Sequence, residues 1–288
     1  MREMVHLNGE LLPLEDAKIP VLDRGFIFGD GIYEVIPVYA RTPLRMHEHL
    51  ARMANGLAAI RIANPHSATE WERIIADVIA ACEHEDQALY IQVTRGVARR
   101  DQAFPDPPPR PTVLVMAWQM SRPSADAREN GVAVITQPDF RWLRCDIKST
   151  SLLGNCMLRQ AAADQGAIEA VLIRDGHVTE ASTSNVFLVK DGRIATPPKD
   201  NLILPGITYD LVLELARARG LPIEVRPIAE AELATADELW LSSSTKEVLP
   251  VTRLDGKPVG NGRPGPMYAR MYAIYQDYKA GIRAAAQR

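Results

Sequence analysis

The sequence predicts an α/β protein of the α+β type in two domains, on three observations. Strand-type and helix-type apolar patterns alternate from end to end. A proline-bearing, polar stretch from Gln119 to Asn130 interrupts them, and the β-pattern restarts at Val132. The length, 288 residues, exceeds one small core and falls short of three. These features divide the chain into a smaller N-terminal α/β domain over residues 1–120, a linker over 121–129 and a larger C-terminal domain over 130–288.

In the first domain, Val35 to Tyr39 and Leu89 to Thr94 are rich in β-branched and aromatic residues and read as strands. Two helices lie between them. His47 to Ile62 puts Leu50, Met53, Leu57 and Ile60 on one face. The second helix follows Thr69 and Glu72, a capping-box pattern, and carries Trp71, Ile74, Ile75, Val78 and Ile79. Thr112 to Trp118 is an apolar run of buried-strand type, and Pro105 to Pro111 is a helix-hostile loop. In the second domain, Val132 to Thr136, Ala170 to Arg174, Asn185 to Lys190 and Leu239 to Ser242 read as strands, with Asp175-Gly176 and Asp191-Gly192 as turns. Leu152 to Gln165, Gly206 to Arg219 and Met267 to Ile282 read as helices, the first stopped by Gly166.

Composition excludes several functions. The chain is 47% apolar and 24% charged, ordinary for a soluble globular protein, and no apolar run approaches the ~18 residues of a membrane span, so no membrane partner is expected. A net charge of −3 gives no reason to expect a nucleic acid partner. Cys82, Cys145 and Cys156 form no CxxC pair, which argues against a disulfide framework or a zinc knuckle and fits a reducing cytoplasm. The start, Met1-Arg2-Glu3-Met4-Val5-His6, has no basic segment followed by an apolar run, so no signal peptide is expected.

No metal site is expected either. His47-Glu48-His49 is not HExxH, because histidines two apart point to different faces of a helix, and both read as surface or capping residues. No phosphate loop of the GxxxxGK[ST] type, no strand-linked GxGxxG and no GxSxG elbow occurs. Three segments and one lysine remain. Asp23 to Glu34 sets three glycines among aromatics, which fits close backbone approach at a ligand or a plain structural hairpin. Leu204-Pro205-Gly206-Ile207-Thr208 opens a helix whose N–H groups and hydroxyl suit a phosphate, or Thr208 serves simply as an N-cap. Leu241 to Lys246, with Ser243 and Ser244, is a second candidate phosphate turn or an ordinary polar turn. Lys148 sits beside Ile147 and an apolar helix. Desolvation favours the neutral, nucleophilic form of an amine, which makes Lys148 a candidate and no more.

Taken together, these segments resemble the fold-type IV, class IV aminotransferases that use pyridoxal 5′-phosphate (PLP), and most of all the D-amino acid aminotransferases. The resemblance runs from Val21-Leu22-Asp23-Arg24-Gly25 to the last helix. It is carried by Phe28 to Val35, Gln92 to Gly96, Arg141 to Lys148, Thr179 to Phe187 and Leu204 to Thr208, in the family's order. It implies a C-terminal domain built as a pseudo-barrel. It also implies a Schiff base between Lys148 and the cofactor aldehyde, Lys148 as proton carrier, and Glu180 against the pyridine nitrogen. Arg52 resembles the phosphate-binding arginine, with Ile207, Thr208, Ser243 and Ser244 completing the cup and Leu204 packing on the ring. Tyr33 is then at the substrate carboxylate and Val35 shapes the pocket.

The segment Thr94 to Pro105 departs from the pattern. Relatives usually read Pro-Arg-x-His before x-Phe-Pro, whereas this chain has Arg99 for the proline and Gln102 for the histidine and keeps Arg100. In the family this loop reaches from one subunit into its partner's site to trap the α-carboxylate, which implies a homodimer with a shared active site. Gln102 offers one neutral hydrogen bond where a charged residue would bind about twice as strongly; Arg99 either shares that role or is a solvated surface arginine. Tyr209 stands where many relatives have arginine, and Asn155 and Cys156 lie where relatives are more aliphatic. The expected activity is transamination between D-alanine or D-glutamate and 2-oxoglutarate or pyruvate. The alternatives are a relaxed transaminase that also takes (R)-primary amines, a PLP lyase of the aminodeoxychorismate type, and a non-catalytic relative.

Overall fold

A computed structural model describes residues 3–286 and divides into two compact units. The outer limits of the two expected domains, residues 1 and 288, lie outside the described residues. The first unit takes the chain up to Ser121, the segment Ile147–Leu152 and the residues from Ile282 on; the second holds Arg122–Asp146 and Leu153–Gly281. This differs from the sequence expectation in three places, the first being the residues from Ile282 on, which were expected in the C-terminal domain. The stretch expected as a linker carries a helical turn capped by Ser124, whose hydroxyl accepts from Ala127 N–H, and it groups with the second unit. Lys148 and its neighbours, expected in the second domain, group with the first, because Tyr33 N–H donates to Lys148 O and Thr150 N–H to Gly31 O, each at 3.0 Å.

The first unit contains strands β1 (Met4–Leu7) and β2 (Glu10–Pro13), helix α1 (Arg24–Phe28), strands β3 (Gly31–Tyr39) and β4 (Thr42–Pro43), helices α2 (Met46–Ala59) and α3 (Ala68–Ala81), and strands β5 (Gln87–Thr94) and β6 (Thr112–Gln119). The strands form one antiparallel sheet in the order β2-β1-β6-β5-β3-β4. Alternation along β3 decides what faces where. Ile32 and Ile36 join Met53 and Leu57 of α2 and Trp71, Ile74 and Ile75 of α3 in the core, each large side chain contributing about 1.5–3 kcal/mol by leaving water. Tyr33 and Val35 point the other way and are half-buried. The capping box of α3 lies two residues earlier than expected: Ser67 accepts from Glu70 N–H and Glu70 Oε2 accepts from Ser67 N–H, so Ser67, and not Thr69, starts the helix.

The second unit contains α4 (Ala125–Glu129), β7 (Val132–Pro138), α5 (Leu153–Ala163), β8 (Glu169–Arg174), β9 (His177–Ala181), β10 (Asn185–Lys190), β11 (Arg193–Thr196), α6 (Ile207–Ala218), β12 (Ile223–Val225), α7 (Glu230–Leu233), β13 (Glu238–Ser243), β14 (Glu247–Leu254), β15 (Lys257–Pro258) and α8 (Pro266–Ala286) up to Gly281. Its mixed sheet runs β12-β11-β10-β13-β14-β7-β8-β9, with β15 on β14. β9 lies at one edge, yet a tight turn closed by Ala181 N–H on Ser184 O leads it into β10. The sheet therefore curls back towards its own middle as an incompletely closed barrel. Val134, Val171, Val186, Leu239 and Leu249 fill its interior, while Ile135, Ala170 and Leu172 meet Leu158 and Ala162 of α5 outside. β9 and β11, which sequence patterning did not separate from their turns, are the return strands of hairpins at Asp175-Gly176 and Asp191-Gly192, where all four residues have positive φ.

Candidate active site

Lys148 is held at its backbone by β3, and its Nζ lies 4.2 Å from the centre of the Tyr33 ring. Tyr33 pairs across the sheet with Gln92, and Val35 pairs with Tyr90. The Tyr33 and Tyr90 rings are 5.8 Å apart, and Tyr90 OH donates to Gln92 Oε1. Burial pushes the Tyr90 hydroxyl up to about 12, so it remains a donor. One face of the sheet thus sets an amine against a row of phenols.

On the opposite face of β3 is Glu34, fully buried. Arg52 of α2 grips it with Nε on Oε1 at 2.8 Å and Nη2 on Oε2 at 2.7 Å, and His49 Nδ1 lies 2.8 Å from Oε2. Burial alone would raise the Glu34 carboxyl, but Arg52 and His49 outweigh it and hold it at about 2. Burial lowers the pKa of His49 against the pull of Glu34, so the ring is neutral and donates Nδ1–H to the carboxylate. The expectation that His49 is a surface or capping residue is therefore wrong: it is 1% exposed, whereas His47 does face solvent. Both His49 and Arg52 share one face of α2 and converge on the same carboxylate.

Arg100 and Gln102 lie in an exposed loop. Arg100 has its guanidinium carbon 5.4 Å from the Phe28 ring centre, and Arg24 supports the loop by donating to the backbone oxygens of Asp101 and Gln102. Arg24 and Arg95 both anchor on Asp30, and Arg95 stacks over Phe104 at 3.6 Å. Arg99 is exposed as well.

In the second unit Glu180, on β9 and 5% exposed, accepts from Arg141 Nη1 at 2.5 Å, from Leu204 N–H at 3.1 Å and from Asn185 Nδ2 at 3.4 Å. Arg141 spends its other edge on Asp139, donating from Nε to Oδ1 and from Nη2 to Oδ2, each at 2.9 Å. Burial pushes the Glu180 carboxyl up to about 7; Arg141 and Leu204 N–H pull against it, and Asp139 adds to the rise. Burial would raise Asp139 too, but Arg141 and Thr179 hold it below the usual carboxylate range. Asn185 also donates to Leu204 O, and it sits so close to Gly206 that a Cβ there would meet Asn185 Oδ1 at 2.1 Å. A side chain there would push Asn185 off its bonds to Glu180 and Leu204.

Gly206 is the N-cap of α6 and supplies no side-chain acceptor to the first-turn N–H groups. Thr208 lies inside the helix rather than capping it. Ile207 and Thr208 are buried, while Leu204, Ser243 and Ser244 are half-buried. Ser243 Oγ accepts from Lys246 N–H across the β13–β14 turn. Tyr209 is buried and donates its hydroxyl to Pro197 O.

The donor set fits PLP. A buried carboxylate that shares its arginine with Asp139 suits a protonated ring nitrogen, and the uncapped first turn of α6 with nearby hydroxyls suits a phosphate. Arg141 and Asn185 hold Glu180, and Glu34 holds Arg52, without having been given a role from the sequence. A carboxylate at the inward-facing position of an apolar strand was the available signal for Glu34. Among the described residues no group of three or more His, Cys, Asp or Glu side chains could hold a metal ion, and no helix is long and apolar enough to cross a membrane.

Comparison with known proteins agrees with this chemistry. The amino-transferase class IV family matches residues 31–254. The D-alanine aminotransferase of Bacillus licheniformis is 40% identical over 273 residues, covering 95% of this chain and 96% of that protein. That of Listeria monocytogenes serotype 4b is 39% identical over 272 residues, covering 94% of each. Among solved structures, a T.th. branched-chain amino acid aminotransferase with pyridoxamine 5′-phosphate superposes with a TM-score of 0.88 at 26% identity, over 98% of this chain and 95% of that one. Since the match runs through both units and takes in Glu34, Lys148 and Glu180, the chain belongs to the class IV aminotransferases, of fold type IV.

Proposed function

We propose that this protein is a D-amino acid transaminase, passing the amino group between D-alanine or D-glutamate and 2-oxoglutarate or pyruvate. PLP is the cofactor of its family. The observation that carries the reading is Glu180, a buried carboxyl pushed up to about 7 beside an arginine already committed to Asp139. The choice of D-amino acids is supported by relatives about 40% identical over nearly the whole chain.

Bound cofactor supplies an electron sink for the pair left when the substrate α-C–H bond breaks. Glu180 keeps the ring nitrogen protonated, which strengthens that sink. Lys148 Nζ would hold the cofactor aldehyde and would carry the proton taken from the substrate α-carbon. Ile207, Thr208, Ser243 and Ser244 bind the phosphate through N–H and hydroxyl groups. Arg52, whose Nε and Nη2 are held on Glu34, would join them at the phosphate. Leu204 would pack on the ring. Tyr33 and Val35 orient the substrate, and Arg100 with Gln102 binds its carboxylate. That loop acts on the partner's site in a homodimer, and the reducing cytoplasm is the compartment that fits three free cysteines.

The test is a half-reaction. The yellow holoenzyme is mixed with D-alanine and the visible cofactor band is followed. Bleaching by D-alanine and D-glutamate is expected; bleaching by L-leucine with none by D-alanine overturns the substrate assignment. Gln102 favours a second reading in which (R)-primary amines are also accepted, since they bring no carboxylate for the loop to hold. Turnover of (R)-1-phenylethylamine supports it, and an unchanged cofactor band removes it.

A further inference from the structure

Glu169, at the start of β8, is fully buried and belongs to none of the groups assigned above. Its carboxylate accepts from Thr183 N–H at 2.7 Å and Ser182 Oγ at 3.2 Å on Oε2, and from Ser184 Oγ at 2.5 Å and Lys246 Nζ at 2.8 Å on Oε1. Lys246 Nζ also donates to Thr183 Oγ1 at 3.1 Å. Every one of these donors comes from one of two turns. The first, 182–184, joins β9 to β10 and lies between Glu180 and Asn185. The second, 244–246, joins β13 to β14 and carries Ser244.

Four donors converging on one point demand a charged acceptor, because a neutral side chain offers too few lone pairs. Burying that charge is costly unless a cation and hydrogen bonds compensate, and Lys246 with three further donors does so. Losing Lys246 leaves the carboxylate under-compensated and cuts both Lys246 links, to Glu169 and to Thr183. The following residue, Glu247, is held in turn by Lys279 and Gln276 of α8 and has a φ of +63°, so the far side of the turn is fixed independently.

We propose that the Glu169–Lys246 pair is a positioning element that staples the turn beside the ring-nitrogen carboxylate to the turn that holds the cofactor phosphate. By fixing the spacing of those two turns it sets how strongly the protein prefers a phosphorylated pyridoxal to one without phosphate. This rests on the assignment of Ser243 and Ser244 to the phosphate.

The test compares the affinity of the apoenzyme for PLP and for pyridoxal, each by titration of the visible band. Lys246→Met is expected to weaken PLP binding on the order of tenfold and to leave pyridoxal binding within about twofold of wild type, with Lys246→Arg restoring much of the loss. Equal weakening of both ligands, or no change in either, overturns the proposal, since a loss of general stability moves both. Ser244→Ala separates the two levels. If it lowers the PLP preference and Lys246→Met does not, the staple fails alone; if neither lowers it, the phosphate assignment fails and takes the staple with it. Should Lys246→Met give no soluble apoenzyme, Thr183→Val, which removes only the Lys246–Thr183 bond, is read the same way with a smaller loss expected.

Discussion

Glu34 and Glu180 are both buried and both face an arginine, yet one is held at about 2 and the other is pushed up to about 7. Burial acts in the same direction on each, so the difference lies in how each guanidinium meets its carboxylate. Arg52 turns one whole edge, Nε and Nη2, to Glu34, and His49 adds a third donor. Arg141 gives the corresponding edge to Asp139 and leaves a single Nη1 for Glu180. A carboxylate with a dedicated fork is a fixed structural charge. A carboxylate that shares its guanidinium with a second carboxylate is short of positive charge, and a cationic ring nitrogen makes good the shortage. The second unit thus withholds neutralisation where a ligand is expected to provide it, whereas the first completes it within the protein.

Glu180→Gln gives the largest expected effect on this contrast. The amide cannot hold a proton on the ring nitrogen by charge, and losing electrostatic support at the reacting centre costs on the order of 10²-fold in kcat. Single-turnover reaction with D-alanine measures it. A rate within about twofold of wild type would remove Glu180 from the ring nitrogen and reduce the contrast to an accident of burial.

Stability against pH carries the contrast in opposite signs and is measured on the apoenzyme by urea unfolding. Glu34 falls from 4.5 to about 2 on folding. At about 1.4 kcal/mol per tenfold change in proton affinity this is worth roughly 3 kcal/mol. That stability is present above pH ~4.5 and is lost as pH falls towards ~2. Glu34→Gln is therefore expected to be less stable than wild type by roughly 3 kcal/mol at pH 7, with the gap closing in acid. Glu180 rises from 4.5 to about 7, so the folded state holds its proton more tightly. Its contribution is complete below pH ~4.5 and disappears as pH rises through ~7. Glu180→Gln apoenzyme is expected to be more stable than wild type at pH 8, an advantage that vanishes near pH 4. Destabilisation by both substitutions at pH 8 would sink the idea that Glu180 is left under-neutralised.

Sequence patterning reached the elements whose periodicity is local and missed features that depend on what arrives from elsewhere. The α2 stripe of Met53 and Leu57 and the β6 run are plain in the sequence because one partner face explains each. β9 and β11 were missed because short return strands carry few side chains to pattern. Lys148, Glu180 and Thr208 stood out only as parts of longer motifs, since a single lysine or glutamate has no local signature. The Arg141–Glu180 contact spans 39 positions and is invisible to any window. Glu34 was legible in principle, being a charge in register with Ile32 and Ile36, and so was the His49–Arg52 spacing of three. What misled was giving both His47 and His49 a surface or capping role, although their two-residue separation puts them on different faces and lets one be buried.

His49→Ala gives the smallest expected effect, and its pH dependence is the sharpest test of how Glu34 is neutralised. A neutral imidazole donating Nδ1–H to a carboxylate contributes about 2 kcal/mol, less than the charge it serves. Because burial lowers the pKa of His49 below 6.5, the folded state takes up that proton less readily than the unfolded chain. Wild type therefore holds its full His49 contribution above pH ~6.5 and loses part of it as pH falls below that value. The gap between wild type and His49→Ala is expected to be about 2 kcal/mol at pH 8 and to narrow by pH 5. A gap that widens on acidification would mean that an imidazolium faces Glu34. Glu34 would then carry two full cationic partners, and its low pKa would owe less to the Nε–Nη2 fork of Arg52.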